Sequence, residues 1–348
     1  MLPRPIDSSF QIRPFEPHPL FRSGHAQTLA GAYLPGQFYP YRARQHHVTL
    51  ADGDLLVLHD DQPAEWRDGD ESVVLIHGLG GTHQSGYMQR IAGRFCDHRV
   101  RTFRMDLRGV GAGERLARLP YHGGCSDDPA HVLRHVARLC PDSPTTLIGF
   151  SLGGNIVLKL LGEIGAGDCG NLVAGIAVSP PVELATCCQR LQERDNRWYD
   201  RRFVGALIRQ HRRRIKLVPG TPPMPFASNP KTLFELDDCF TGPINGFGDG
   251  ATYYRECSSA PLAPEIRKRT LILAAADDPI IPIEIFSRLC LPPNVSLHIA
   301  SSGGHLGFVS RRGRDPDRRW MDWRILEWVA GKNFDQTRFF HSRSCRLS

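Results

Sequence analysis

Apolar and polar positions along this chain fall into short runs whose period changes from two to that of a helix and back. Residues 47–50 and 55–59 alternate on either side of Asp52-Gly53, a turn pair that predicts an antiparallel hairpin. Residues 72–78 (SVVLIHG) form a continuous apolar run of the kind buried on both faces of a parallel sheet. A helical pattern through Tyr87, Ile91 and Phe95 follows, then a strand at 100–106, a helix at 129–139, a strand at 145–151, a helix at 155–164 and a strand at 172–179. The rhythm breaks between Glu183 and about Leu262: an Arg-rich helical segment leads into a stretch holding Pro219, Pro222, Pro223, Pro225 and Pro230, and then into residues 234–254. It returns with a strand at 270–275, a helix near 283–289, a strand at 295–299 and a terminal helix carrying Trp320, Trp323, Leu326 and Trp328. Strands alternating with helices predict an α/β protein, a parallel sheet covered on both faces. The expected division is an N-terminal arm (1–44) rich in proline and aromatics, a core in two pieces (45–182 and 263–331), an inserted cap (183–262) and a loose C-terminal tail (332–348).

Composition narrows the class. With 41% hydrophobic and 23% charged residues in 348, and mean hydropathy −0.30, the chain reads as a soluble globular protein. No stretch approaches the ~20 apolar residues of a membrane span. The N-terminus lacks an apolar run able to form a signal-peptide core, so a cytoplasmic location is expected. Ten cysteines without a C-x-x-C pair indicate neither a zinc site nor a redox motif.

The formal charge of +7 is local. Ten Arg or Lys against three acids lie between Ala185 and Val218, so this segment alone accounts for the whole excess. That placement argues against a nucleic-acid partner and leaves two readings of the segment, whose apolar residues Leu191, Trp198, Phe203, Leu207, Ile208 and Ile215 are spaced among the charges. The plainer is a solvated basic helix face. The other is peripheral attraction to an anionic membrane surface.

Candidate chemistry centres on residues 145–159, TTLIGFSLGGNIVLK. A β-prone run ends in Gly149-Phe150-Ser151-Leu152-Gly153 and a helix-competent segment follows, which is the context a G-x-S-x-G nucleophile elbow requires. The serine must sit in a strained turn for its Oγ to stand clear, and only small residues two positions away let strand and helix approach. A nucleophilic serine needs a base and a group that orients the base, on loops at the carboxyl ends of strands. Asp277 and Asp278 follow one late strand and His305 the last, and Ser, Asp, His is the α/β-hydrolase order. Asp278 is preferred to Asp277 because the turn between Pro279 and Pro282 fixes it; Glu183 is the weaker third candidate. Oxyanion donors are expected from the backbone N–H of Leu152 and from the loop HGLGG, with Leu79 preferred and Gly80 the alternative. His122 and Asp127 match an H-x-x-x-x-D acyltransferase pattern, but with 15 histidines such a match arises by chance.

These residues carry a family resemblance. HGLGGTHQSGY, MDLRGVG, GFSLGGN, Leu236-Asp237-Asp238, Gly246-Phe247, Tyr253-Tyr254, AADDPIIP, GGHLGF and the N-terminal GHAQTL resemble the YheT-like branch of the α/β-hydrolases, a group of serine esterases and lipases. The resemblance runs from about residue 20 to 330. It implies an α/β-hydrolase fold, a mostly parallel eight-stranded sheet flanked by helices with an inserted cap, and Ser151, Asp278 and His305 as the charge-relay set. The expected function is hydrolysis of short- to medium-chain acyl esters or lipids, with no cofactor or metal. An acyltransferase on the same triad and a non-catalytic binding protein with a hydrolase fold are the alternatives. The chain departs from the family at Asp106-Leu107, where an Asn-Phe pair is expected.

Overall fold

The computed structural model describes residues 12–224 and 230–331; Pro225, His341 and the expected tail lie outside them. The elements in chain order are α1 (Gly24–Tyr33), β1 (Arg44–Thr49), β2 (Leu55–Asp61), β3 (Ser72–Ile76), α2 (Gly86–Asp97), β4 (Arg101–Asp106), α3 (Asp127–Leu139), β5 (Thr145–Phe150), α4 (Leu152–Ile164) and β6 (Leu172–Val178). Then come α5 (Leu184–Gln192), α6 (Arg197–Leu217), α7 (Leu233–Leu236), α8 (Gly242–Ile244), α9 (Gly250–Cys257), β7 (Arg269–Ala275), α10 (Glu284–Ser287), β8 (Val295–Ala300) and α11 (Trp320–Ala330). The strands form one eight-stranded sheet in the order β1-β2-β4-β3-β5-β6-β7-β8. From β4 to β8 all pairs are parallel, while β1 and β2 run antiparallel as the Asp52-Gly53 turn predicts, with Gly53 at φ +86°.

Alternation along the strands divides the core between the two faces. Val74, Ile76, Leu147 and Ile272 point to the side where α3 and α4 contribute Val132, Leu133, Ile156 and Leu160. Val73, Leu75, Ile148, Leu271 and Leu273 point to the other, against Met88, Ile91 and Phe95 of α2 and Trp320, Trp323 and Leu326 of α11. Strand order reverses around β3, which has β4 on one side and β5 on the other. Loops at the carboxyl ends of β3 and β5 therefore flank a switch-point crevice, the usual ligand position in such sheets.

The N-terminal segment differs from the expected arm in containing a helix. Ser23 caps α1 by accepting the N–H of Ala26, and the helix packs on the loop after β8. Proline-rich flanks hid it from a periodicity reading. No helix among the described residues is long and apolar enough to cross a membrane.

Asp106, the departure from the family pattern, is a fully buried acceptor. It takes the N–H groups of His83 and Ala112 and hydrogen-bonds His59 Nε2 (3.0 Å) and His83 Nδ1 (2.8 Å). Although burial works against its charge, the hydrogen bonds from His59 and His83 hold its carboxyl well below the usual range. His59, His83 and Asp106 also stand close enough together to be tested as metal ligands. Each imidazole already has a carboxylate partner there, and the two rings stack at 3.5 Å.

Several histidines are buried neutral. His77 accepts the N–H of Leu107 at Nε2 and donates Nδ1–H to the Gly78 carbonyl, so protonation would break one bond. Burial lowers His59, His77 and His211 from 6.5 and pushes His122 down to about 4. The unfolded chain takes up protons on these groups below pH ~6.5 that the folded chain refuses, so their linkage removes stability as pH falls from there toward the folded values. Asp237, pushed up to about 6 by burial, acts in the opposite sense, as do Asp61, Asp128, Asp200, Asp277 and Glu327, which burial also raises; these carboxyls start at about 4, below the pH 5 to 7 window, whereas the histidines start inside it. The melting temperature should fall on the order of 5 °C between pH 7 and pH 5. A calorimetric Tm at pH 5 equal to that at pH 7 would contradict this reading.

Candidate active site

Ser151 sits between β5 and α4 at φ +52°, ψ −121°, a conformation an L-residue holds only under constraint. The constraint is a set of close approaches. A Cβ on Gly149 would lie 2.1 Å from the Gly153 carbonyl oxygen, and one on Gly153 would lie 2.6 Å from that of Ile76. Both positions must be glycine, as the elbow spacing predicts. The N–H of Ser151 donates to the Val178 carbonyl (2.8 Å), which ties the turn to β6.

His305 lies on the loop after β8, and its Nε2 stands 2.9 Å from Ser151 Oγ. Its Nδ1 is 2.9 Å from Asp278 Oδ2. Partners on both sides define the tautomer: Nδ1–H donates to the carboxylate and Nε2 is left to accept the hydroxyl proton. The other oxygen of Asp278 accepts the N–H groups of Ile280 (2.8 Å) and Ile281 (3.0 Å), so the turn between the prolines fixes it. Asp277 points elsewhere, accepting the N–H of Gly304 at 2.8 Å; burial raises its pKa, partly offset by that bond. Glu183 stands outside the group, beside Thr186 and Arg288.

Tyrosines hold the HGLGG loop. The hydroxyl of Tyr87 accepts the N–H of Gly78 (2.9 Å) and that of Tyr121 accepts the N–H of Gly80 (2.8 Å). Gly80 is thereby engaged, whereas Leu79 lines the same cavity as Ser151 and Leu152. Leu152 opens α4, so its N–H belongs to the first turn, which has no acceptor within the helix.

The sequence reading did not foresee the role of GHAQTL. Thr28 Oγ1 accepts the N–H of His305 (2.8 Å), and buried Gln27 bonds both the N–H (2.7 Å) and the carbonyl (3.0 Å) of Val309. A Cβ on Gly24 would lie 1.7 Å from the Asp277 carbonyl oxygen, so α1 presses directly on the loops that carry Asp278 and His305. Only the run of small and polar residues signalled this in the sequence.

The cavity at Ser151 has a volume of about 120 Å³. Its walls come from the core loops (Leu79, Leu152, Ile280, Ile281) and from the segment between β6 and β7 (Leu184, Leu191, Phe203, Phe240). Asn155 of α4 joins the two by donating to the carbonyls of Gly123 and Cys257 and accepting the N–H of Ser259. His122 also reaches this cavity despite its distance along the chain from the other site residues, but Asp127 is exposed at the start of α3, so the acyltransferase pattern is not assembled as a pair. The basic segment divides as well: Arg201, Arg202, Arg209, Arg212, Arg213 and Lys216 are exposed, whereas Arg214 is buried.

A family model described as "Alpha/beta hydrolase family" matches residues 73–318. The Escherichia coli (strain K12) protein named "Putative esterase YheT" is 30% identical over 93% of this chain and 93% of its own. Human "Phospholipase ABHD3" is 27% identical over 82% of this chain and 71% of its own. The Pyrococcus furiosus esterase Pf2001 superposes with a TM-score of 0.52 over 92% of this chain and 96% of its own, at 14% identity, a likeness of fold. Matched over most of its length by the family model and almost end to end by YheT, the chain belongs to the α/β-hydrolase family, in the YheT-like branch.

Proposed function

We propose that this chain is a serine ester hydrolase acting on short- to medium-chain acyl esters or lipids through an acyl-enzyme. The observation that carries the reading is the continuous line Asp278, His305, Ser151, each link 2.9 Å, ending at the wall of an apolar cavity. Ser151 Oγ attacks the ester carbonyl carbon while His305 Nε2 takes its proton. The oxyanion receives the N–H groups of Leu79 and Leu152. As the carbon–oxygen bond to the alcohol breaks, His305 returns the proton to the leaving oxygen. Water then repeats the sequence on the acyl-Ser151 ester. Asp278 keeps Nδ1–H in place and stabilises the imidazolium that forms. The cavity of about 120 Å³ is close to the ~150 Å³ apolar cavity that takes a benzene-sized guest, which favours short acyl chains. The names of YheT and ABHD3, an esterase and a phospholipase, agree with ester cleavage.

Residues 183–262 act in this proposal as a cap that completes the acyl pocket. Peripheral contact with anionic lipid is supported by the exposed arginines of α6 together with Trp198 and Ile215, which are 41% and 39% exposed.

A fluorophosphonate probe should label Ser151, and Ser151→Ala should lose labelling and lower kcat on p-nitrophenyl butyrate by roughly five to six orders of magnitude. Full labelling of the variant would end the assignment.

Asp278→Asn should lower kcat by about four orders of magnitude, because the amide no longer fixes the tautomer of the base. Asp277→Asn keeps an acceptor for the N–H of Gly304 and should cost less than about tenfold, within one hydrogen bond of the parent. The reverse ranking in steady-state kinetics would assign the orienting role to Asp277.

Thr28→Val removes the acceptor for the His305 N–H and should lower kcat about tenfold with KM nearly unchanged, the effect of one hydrogen bond on positioning. A change confined to KM would remove Thr28 from the positioning of the base.

A further inference from the structure

Most of the wall around Ser151 is apolar, yet α6 contributes one polar stretch to it, Gln210, His211 and Arg214. Arg214 is 1% exposed. Its Nη2 donates to the carbonyls of Ala117, Arg118 and Leu119, and its Nε has no protein partner. No carboxylate forms an ion pair with it among the described residues; Asp54 and Glu114 act on it only at a distance. Other buried arginines differ: Arg90 and Arg94 meet Asp322, Arg101 meets Asp60, Arg104 meets Asp61, and Arg324 meets Asp315. Arg108, on the same cavity wall, is matched by Asp52, Asp54 and Asp128. Arg319 also binds carbonyls alone, but those are Gly31 at the end of α1 and Leu34 and Pro35 just after it, and it takes no part in lining this cavity.

The seat of Arg214 is shaped for a guanidinium. A Cβ on Gly109, at φ +67°, would lie 2.4 Å from Arg214 Cζ, so the loop after β4 leaves room that only glycine provides. One turn earlier, His211 donates Nε2–H to the Pro222 carbonyl at 2.8 Å, and its buried Nδ1 has no protein partner. Two residues that line the wall, Arg214 and His211, thus bring a cation, a donor without a protein partner and an acceptor without one to one face of α6. Carbonyl dipoles only partly offset the cost of burying a charge without a counter-charge, and burial lowers the pKa of Arg214 accordingly. A group that brings negative charge into the cavity would recover that cost.

We propose that Arg214, with His211, forms an anion subsite of the Ser151 cavity, so that the preferred substrate is a small ester bearing a carboxylate or phosphate. This rests on Ser151 being the nucleophile and adds the substrate class. The anion sits either at the far end of the acyl chain or on the alcohol. Where the anion is a phosphate that keeps one O–H, His211 Nδ1 accepts from it; a carboxylate has no such donor and is held by Arg214.

Two matched pairs of esters test it: p-nitrophenyl hexanoate against mono-p-nitrophenyl adipate for an acyl-side anion, and 1-hexanoylglycerol against its 3-phosphate for an alcohol-side anion. In one pair the charged ester should be favoured about tenfold or more in kcat/KM, the scale of a charge-assisted hydrogen bond. Arg214→Gln should bring that ratio to about one, and Arg214→Lys, which keeps the charge without the fork, should leave it between the two. Calorimetric binding of adipate and of glycerol 3-phosphate to Ser151→Ala protein decides the subsite even if no ester turns over. Binding of one of them that is lost on adding Arg214→Gln or weakened on adding Arg214→Lys supports it. Failure of both anions to bind, binding indifferent to both changes at Arg214, or a parent that favours the neutral ester of each pair would overturn it. A parent that binds an anion but hydrolyses neither member of a pair would instead remove Ser151 as nucleophile and leave the anion site standing.

Discussion

A serine held at φ +52° has to be over-determined by its surroundings, and much of this fold is arranged around that requirement. The turn works only if α4 starts against β3, which the absence of side chains at Gly149 and Gly153 permits. It stays in place because β6 accepts its N–H and the first turn of α4 donates to its carbonyl, with Gly154 at 2.8 Å and Asn155 at 3.2 Å. Behind it, β5 is buried throughout and β6 is buried except at Val173 near its start, so the strands allow no relaxation by shift. Strain in one residue is thus distributed over three strands and a helix, which is how its Oγ comes to face a cavity without a loop of its own to carry it.

The opposing partner has the reverse problem. His305 lies in a loop with unusual backbone at Gly303, Gly304, Leu306 (φ +57°) and Phe308 (φ +42°), and among the described residues no strand follows to fix it. Rigidity comes from α1, whose Thr28 and Gln27 bond the loop at His305 and Val309, and from Phe308, which stacks on Trp320 of α11. The chain's beginning and end therefore determine the geometry between two residues that lie in its middle and near its end. That accounts for a GHAQTL motif so far from the serine.

Periodicity made the sheet legible, because β3, β5, β6 and β7 are buried on both faces and must read as unbroken apolar runs. That Ser151, Asp278 and His305 would lie together was legible because each follows a strand in a fixed order, and the prolines after Asp278 gave a reason to prefer it to Asp277. Three features were not. Prolines on either side of α1 masked a ten-residue helix. Sequence distance hid His122, which the loop before α3 brings to the cavity. Arg214 was indistinguishable from its neighbours Arg212 and Arg213, since a run of identical residues gives no sign of which one the helix turns inward. Only the burial of Tyr199, Val204, Ile208 and His211 on the same face of α6 marks it out.

Asp106 shows how such differences arise from local charge. An Asn at this position offers one acceptor oxygen and brings two donors of its own, while four donors converge here, two of them from stacked imidazoles. Only a carboxylate can accept from all four, so His59, His83 and Asp106 form a set in which changing one requires changing the others. The segment between β6 and β7 is under no such restriction. It meets the core through Asn155 and Tyr253, through Asn196 on the Pro279 carbonyl and through Arg214 on the carbonyls of Ala117, Arg118 and Leu119, and it supplies cavity wall rather than any member of the Asp278, His305, Ser151 line. Arg214 is itself one of the links that join this segment to the core, so the charge of the wall is set by the contact with the Ala117, Arg118 and Leu119 carbonyls, apart from the close approaches at Gly149 and Gly153 that hold the elbow.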